Sequence, residues 1–295
     1  MSSLRVAYIP EHFSTPLFLS EKYGYFGDVQ VKFVPVIEGT GRLIALLNSG
    51  EIDVAIGLTE GFIADIAKGN ETYQLVDTYV ESPLCWAIST GSNRDELTEA
   101  RQLDGKKIGV SRIGSGSYIM SFVLGHQLDF QKKFTFEPLN NFQNLRQSVN
   151  DSTTDAFMWE HFTSKKYYDN GEIKKIGEIY TPWPSWVITV NRTLMKENPA
   201  LIKQFVGGIN KGIEHFNNNH DEAVQWIADN LDYTKEDATA WLPTVRFNNG
   251  VGINPLNWES VVVKTRDTLK LAGVLTDSDD VISQRLDEGV LKQLN

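Results

Sequence analysis

Between residues 4 and 69 short apolar runs alternate with amphipathic stretches, and this alternation limits the fold more than any other feature of the chain. Residues 4–9 (LRVAYI) form an apolar run that Pro10 ends, and residues 29–36 (VQVKFVPV) alternate apolar and polar with period two; both predict strands. Residues 17–25 predict a helix up to Gly24. Residues 42–49 predict a second, with Leu43, Ile44, Leu46 and Leu47 on its inner side and Gly50 just past its end. Residues 52–56 predict a buried strand, residues 57–61 a loop, and residues 62–68 a helix closed by Gly69. Strand, helix, strand, helix, strand at these spacings builds a mainly parallel sheet with right-handed crossovers.

The same order returns further on. Residues 107–110 predict a strand, residues 111–118 a small-residue loop, and the stretch from Ile119 a helix. Residues 134–139 predict a strand and residues 141–149 a helix. Residues 155–159 (DAFMW) then repeat the acidic-then-apolar order seen from Asp53. Residues 173–179 and 186–190 are strand-like. From Asn191 the chain reads as mostly helical, with Asn198 and Pro199 as an N-cap and first-turn pair, a helix across residues 258–271 and a last one across residues 281–294.

Charge and cysteine content exclude several function classes. The formal net charge is −10, which argues against nucleic acid or an anionic membrane surface as the main partner. Cys85 is the single cysteine, so no disulfide within the chain and no cysteine-based metal site is available. No apolar run approaches the ~18 residues needed to cross a membrane. The start, MSSLRVAYIP, has neither a charged leader nor a long apolar stretch, and the expectation is a cytoplasmic protein. A monomer or a dimer is expected, with no partner protein indicated.

Five segments, taken in order, carry a resemblance. They are LRVAYIPEHFSTPLFLSEKYGYF, GTGRLIALLNSGEIDVAIGLTEGFIADIAKGN, LDGKKIGVSRIGSGSY, DAFMWEHF and TPWPSWVITVNRTLMKENPALIKQFV. Together they resemble the type II periplasmic-binding-protein-like family. Within it they are similar to the group of aliphatic-sulfonate, taurine and nitrate binders and fungal thiamine-pyrimidine synthases, and above all to its cytosolic fungal branch. The resemblance implies an α/β fold of two Rossmann-like lobes joined by two crossover strands, with a helical C-terminal part. It places residues 1–86 and 189–295 in one lobe and residues 87–188 in the other. The crossovers fall near residues 82–86 and 183–186, and a ligand lies in the cleft between the lobes.

In open α/β sheets ligands lie beyond the carboxyl ends of the strands, and the loops there supply the candidates. In the first lobe these are His12, Phe13 and Ser14; Gly39, Thr40 and Gly41; and Thr59 and Glu60. In the second they are Arg112, Ser115, Gly116, Ser117, Tyr118, Trp159 and Glu160, with Ser82 and Trp183 at the crossovers. Ser115 to Tyr118 stand where a helix N-terminus would offer unpaired N–H groups, a setting that suits an acceptor and equally suits plain capping by serine. Arg112 suits a carboxylate, sulfonate or phosphate, and Arg112→Ala should then abolish binding of an anion. Glu60 could select an amine or hydroxyl, or simply complement a helix dipole. Trp159, Trp183 and Trp186 could form an aromatic wall or belong to the core.

The expected function is non-catalytic binding of a small polar metabolite, anionic or heteroaromatic, by hinge closure, with no catalytic residue, no metal and no cofactor. Two enzyme readings compete. The thiamine-pyrimidine synthases use a cysteine cluster, a lysine and a histidine, and Gly57 and Gly61 stand at the last two positions here. A dinucleotide-dependent oxidoreductase would use Gly114 and Gly116, but Ile119 holds the third position, where a small residue is needed.

Overall fold

Two five-stranded sheets organise the computed structural model, which describes residues 3–294. The chain enters the first through β1 (Ser3–Tyr8), α1 (Thr15–Lys22), β2 (Gln30–Pro35), α2 (Thr40–Asn48), β3 (Val54–Leu58), α3 (Thr59–Ala67) and β4 (Tyr73–Val80). It crosses over and builds the second from β5 (Cys85–Gly91), β6 (Lys107–Val110), α4 (Gly116–Gln127), β7 (Thr135–Pro138), α5 (Phe142–Asn150), β8 (Ala156–Glu160), α6 (His161–Asp169) and β9 (Ile173–Tyr180). It then returns to the first sheet as β10 (Trp186–Asn191). The helices α7 (Arg192–Glu197), α8 (Pro199–Asn218), α9 (His220–Asn230), α10 (Lys235–Trp241), α11 (Lys264–Leu271) and α12 (Asp279–Gly289) follow. Among the described residues no helix is long and apolar enough to cross a membrane.

The strand orders are β2-β1-β3-β10-β4 and β7-β6-β8-β5-β9. In each sheet three parallel strands are followed by one that runs antiparallel to its neighbours, β10 in the first and β5 in the second. This is the two-lobe α/β fold with two crossovers that the resemblance implies. Cys85 and Trp86 already pair with Tyr180 and Ile179, and Trp186 with Leu58. The sheets therefore change over at residues 81–84 and 181–185, slightly before the expected bounds at 86 and 188.

Three local expectations change. Residues 57–61 are not a loop, because α3 starts immediately after β3. Gly57 lies inside the strand, where a Cβ would stand 2.7 Å from Leu43 Cδ1, so this glycine serves the close packing of α2 on β3. The stretch across residues 258–271 is not one regular helix: a π-helical turn, Glu259–Val263, precedes α11. The last helix stops at Gly289, after which Val290 bridges to Leu75 at the edge strand β4.

Asn198 caps α8 by accepting from Leu201 N–H at 3.2 Å, with Pro199 in the first position. The α8 face carrying Ile202, Phe205, Ile209 and Ile213 is buried. One continuous apolar cluster runs from that face through β1 and β3 and on to Trp86, Ile108 and Ile119 of the second lobe. The two lobes are thus in contact, and the space between them is narrow.

The crossovers brace one another. Thr181 N–H donates to Leu84 O at 3.1 Å, and Leu84 N–H donates to Thr181 Oγ1 at 2.9 Å. Ser185 donates to Ser82 O through both its N–H (3.2 Å) and its hydroxyl (2.7 Å). Short connections between elements, such as these, are where a hinge absorbs its backbone change.

Candidate functional site

A cavity lies between the lobes, at the carboxyl ends of the parallel strands. From the first lobe it is walled by Ile9 and Glu11 after β1, Gly39 and Thr40 at the start of α2, and Leu58 and Trp186. From the second come Leu84, Trp86, Ser111, Ser115, Gly116, Ser117, Trp159 and Glu160. Its free volume is only about 30 Å³, little more than one water needs. A molecule of several heavy atoms can therefore enter only when the lobes part.

Two helix starts face this cavity from opposite sides. Ser115 is the N-cap of α4, its Oγ accepting from Tyr118 N–H at 3.3 Å, and Ser117 Oγ accepts from Ser111 N–H at 3.2 Å. The plain capping role of Ser115 is thus present, and the same serine still walls the cavity. Across from it Thr40 Oγ1 accepts from Leu58 N–H at 3.0 Å. Both helix starts thus stand in the cavity wall, a setting that favours an acceptor.

The other candidates distribute around this centre. Trp183 is buried and its indole N–H donates to Glu60 Oε2 at 2.9 Å. Glu60 Oε1 has no partner and points to the start of α4: it would be 2.9 Å from a Cβ on Gly116. Thr59 bonds Pro184 O through its hydroxyl and Ser185 O through its N–H, so it anchors the returning crossover. Ser82 Oγ accepts from Arg246 N–H, and Ser14 Oγ donates to Glu11 O. Tyr118 turns from the cavity and packs on Phe122 and Phe136. Phe13 packs against Trp186 and Trp241. Trp159 is half-buried and stacks on Phe142.

Arg112 does not wall the cavity. It lies flat on Gly41 of the opposite lobe, where a Cβ would stand 1.2 Å from its Nε, and together they line an outer groove with Glu38, Asn140 and Asn141. Burial lowers its pKa, while Asp65 and Tyr73 act in the opposite direction. Gly41 thus admits a guanidinium that crosses from one lobe to the other.

His12 is fully buried, stacked between Tyr233 (ring centroids 4.4 Å apart) and Trp241 (4.2 Å). Its Nε2 is 3.7 Å from Glu160 Oε2. Glu160 caps α6, accepting from Thr163 N–H at 2.7 Å, and Thr163 Oγ1 lies 3.0 Å from Glu11 Oε2, 3.0 Å from Glu160 Oε2 and 2.7 Å from the Tyr233 hydroxyl. Burial pushes the carboxyls of Glu11 and Glu60 up to about 7. Burial, aided by the neighbouring Glu11, pushes Glu160 up to about 8. The sequence does not single out Glu11, Trp86, Thr163, Tyr233 or Trp241. Glu11 could have been found as the neighbour of His12 in the same loop; the others have no local signal in the sequence.

The Glu60 shift makes a pH prediction. Its folded-state pKa is raised from 4.5 to about 7, so the folded chain binds the more protons in that window and stability falls as pH rises through it. A shift of this size is worth roughly 3 kcal/mol. Glu60→Gln keeps an acceptor for Trp183 and removes the titration. Urea unfolding between pH 4.5 and 7 should show the variant losing less stability than the wild type by an amount of that order. Parallel curves would remove Glu60 as the source.

Comparison with known proteins adds the following. A family model described as Ca3427-like PBP matches residues 86–179. The solved structure of the Candida albicans CA3427 gene product, described as defining a new family with the generic periplasmic binding protein fold, is 57% identical, covering 99% of this chain and 97% of its own, with TM-score 0.95. The alkanesulfonate-binding protein SsuA from Xanthomonas axonopodis pv. citri, solved with MOPS, is 16% identical over 99% of this chain and 98% of its own, with TM-score 0.78. The nitrate-binding protein NrtA from Synechocystis PCC 6803 is 15% identical over 100% and 87%, with TM-score 0.77. The last two show likeness of fold alone. Among curated protein sequences none matches.

Proposed function

Because this chain belongs to the Ca3427-like family of proteins with the periplasmic binding protein fold, we propose that it binds a small, planar, heteroaromatic metabolite, neutral or cationic, by closing its two lobes over it, without catalysis. One observation carries the reading. Of the nine buried side-chain polar atoms without a partner among the described residues, five belong to His12, Glu60, Trp86 and Trp186, all at the lobe boundary. Buried polar groups are nearly always satisfied, so such a concentration marks where a polar ligand completes the bonding. The indole N–H groups of Trp86 and Trp186 ask for an acceptor, and Glu60 Oε1 asks for a donor. A flat ring with both kinds of edge, held among tryptophans, meets these demands.

Among the described residues no cationic side chain stands in the cavity wall, which favours this over an anion. Glu11 and Glu160 stand in the cavity wall and Glu60 beside it, whereas Arg112 lies in the outer groove. The facing helix starts favour the second reading, a small anion such as a sulfonate or nitrate.

A thermal-shift screen separates the two. The panel holds aminopyrimidines and other nitrogen heterocycles, sulfonates, nitrate and amino acids. A ligand at ~100 times its Kd stabilises by about 2.7 kcal/mol, a readable shift. Shifts with heterocycles and none with sulfonates or nitrate are expected; shifts with anions alone would overturn the proposal. Arg112→Ala gives a further check. Affinity for a heterocycle should stay within about tenfold, or roughly 1.4 kcal/mol. Loss of binding would return Arg112 to the site and favour the anion.

A further inference from the structure

We propose that Glu11, His12 and Glu160 bind a divalent transition-metal ion of the zinc class at the inner end of the cleft, and that this ion ties one lobe to the other. One ligand atom from each residue lies within 4.8 Å of the other two, and all three side chains are buried. A zinc ion about 2.1 Å from its nitrogen and oxygen donors would hold them roughly 3 to 4 Å apart, so closing on it takes a movement of about an ångström.

The cluster is more than two acidic groups in proximity. His12 is wholly buried and neither ring nitrogen has a hydrogen-bond partner. The ring cannot turn to find one, because Tyr233 and Trp241 stack on its faces. Its Nε2 faces Glu160 Oε2 at 3.7 Å, too far for a hydrogen bond, and an ion between the two would give that nitrogen a partner. Thr163 Oγ1 lies between Glu11 Oε2 and Glu160 Oε2, and its one hydroxyl proton can go to only one of them. Tyr233, at 2.7 Å from Thr163 Oγ1, can donate to that oxygen and leave Thr163 free to donate onward. The two buried carboxyls thus face one another across a single hydroxyl, and no lysine or arginine forms an ion pair with either among the described residues. A divalent cation satisfies both carboxylates and the imidazole at once.

Glu11 and His12 lie in the loop after β1 and Glu160 ends β8, so the donors come from opposite lobes. The ion would therefore bind the closed arrangement more tightly than the open one and shift the population toward it. The proposal rests on the closed cleft and not on the class of organic ligand. Its test uses metal alone, so its failure and the failure of the heterocycle reading are separate results.

The full chain is stripped with a chelator, the chelator is removed, and Zn²⁺ is titrated by calorimetry, with Co²⁺ as a coloured substitute. One equivalent of tightly held ion is expected, with a visible cobalt absorption and a smaller radius of gyration by small-angle scattering. Glu160→Gln keeps side-chain volume and should weaken affinity by about a hundredfold or more, the upper end of what even an outer-shell change costs. Glu11→Gln is the second variant, and far-UV circular dichroism verifies that each is folded. A weakened site in either folded variant supports the proposal. Absence of uptake by the wild type, or unchanged affinity in both folded variants, overturns it. If neither variant folds, the wild type decides: one ion bound with compaction supports the site, and binding without compaction overturns it.

Discussion

Gly116→Val is expected to stop the lobes from closing and to weaken binding of the ligand found in the screen by about a hundredfold, or roughly 2.7 kcal/mol. A Cβ at this position would be 2.7 Å from Leu58 Cδ1 and 2.9 Å from Glu60 Oε1, both on the opposite lobe, and 3.1 Å from Trp86 Cη2 on its own. Overpacking typically costs about 1–3 kcal/mol, and here the first two contacts exist only when the cleft is shut. The open form escapes most of that cost. The unliganded variant should therefore melt near the wild type while small-angle scattering reports a larger radius of gyration. A variant that scatters like the wild type and binds with unchanged affinity would show that closure does not seat Gly116 against Leu58.

Gly212→Val is expected to lower stability itself by about 3 kcal/mol, with a fall in Tm of roughly 5–10 °C. Gly212 lies on α8 where that helix meets α1. A Cβ would stand 1.9 Å from Ser20 Oγ and 2.3 Å from Pro16 O. The second atom is backbone, so no rotamer change relieves the contact and the helices must separate. Separation also strains the two bonds of Ser20, whose hydroxyl lies 2.8 Å from Pro16 O and 2.9 Å from Gly208 O. Because α1 follows directly on the turn holding His12 and Phe13, a displaced α1 also disturbs the cleft. Urea unfolding measures the first effect, and the ligand Kd the second. A loss under about 1 kcal/mol would mean that the helices accommodate the side chain, as only well-relaxed sites do.

Sheet-forming alternation and helix starts are local, and they were legible: the order from β1 to β4, the cap at Asn198 and the small-residue start of α4 all follow from neighbouring residues. The same locality exposed Gly39, Thr40, Ser115, Gly116, Ser117, Trp159 and Glu160, which wall one cavity. What was not legible depends on distant chain. Thr163 and Tyr233 are 70 positions apart and meet only because α6 packs near α10. Trp241 reaches His12 from the end of α10. Gly57 looked like a turn residue because glycine has one sequence appearance and several uses; the neighbour that requires it, Leu43, lies on another element. Arg112 was readable as a cation near the cleft, but its resting place on Gly41 depends on how the lobes meet.

The return of β10 to the first sheet has a consequence for how the chain comes to be folded. Every strand of the second sheet lies between Cys85 and Tyr180, so that lobe can form from one uninterrupted piece as it leaves the ribosome. The first lobe cannot. Its β3 and β4 stay unjoined until β10 arrives between them, and Leu75 waits for Val290. Pairing across such sequence distances is slow, because loop closure must precede the contacts that reward it. Until then the apolar strand VAIGL, buried along its whole length in the finished molecule, has β1 on one side and an open edge on the other. The second lobe should thus gain protection from hydrogen exchange first during refolding, and the stretch from Val54 to Leu58 is where a chaperone would engage a half-made chain.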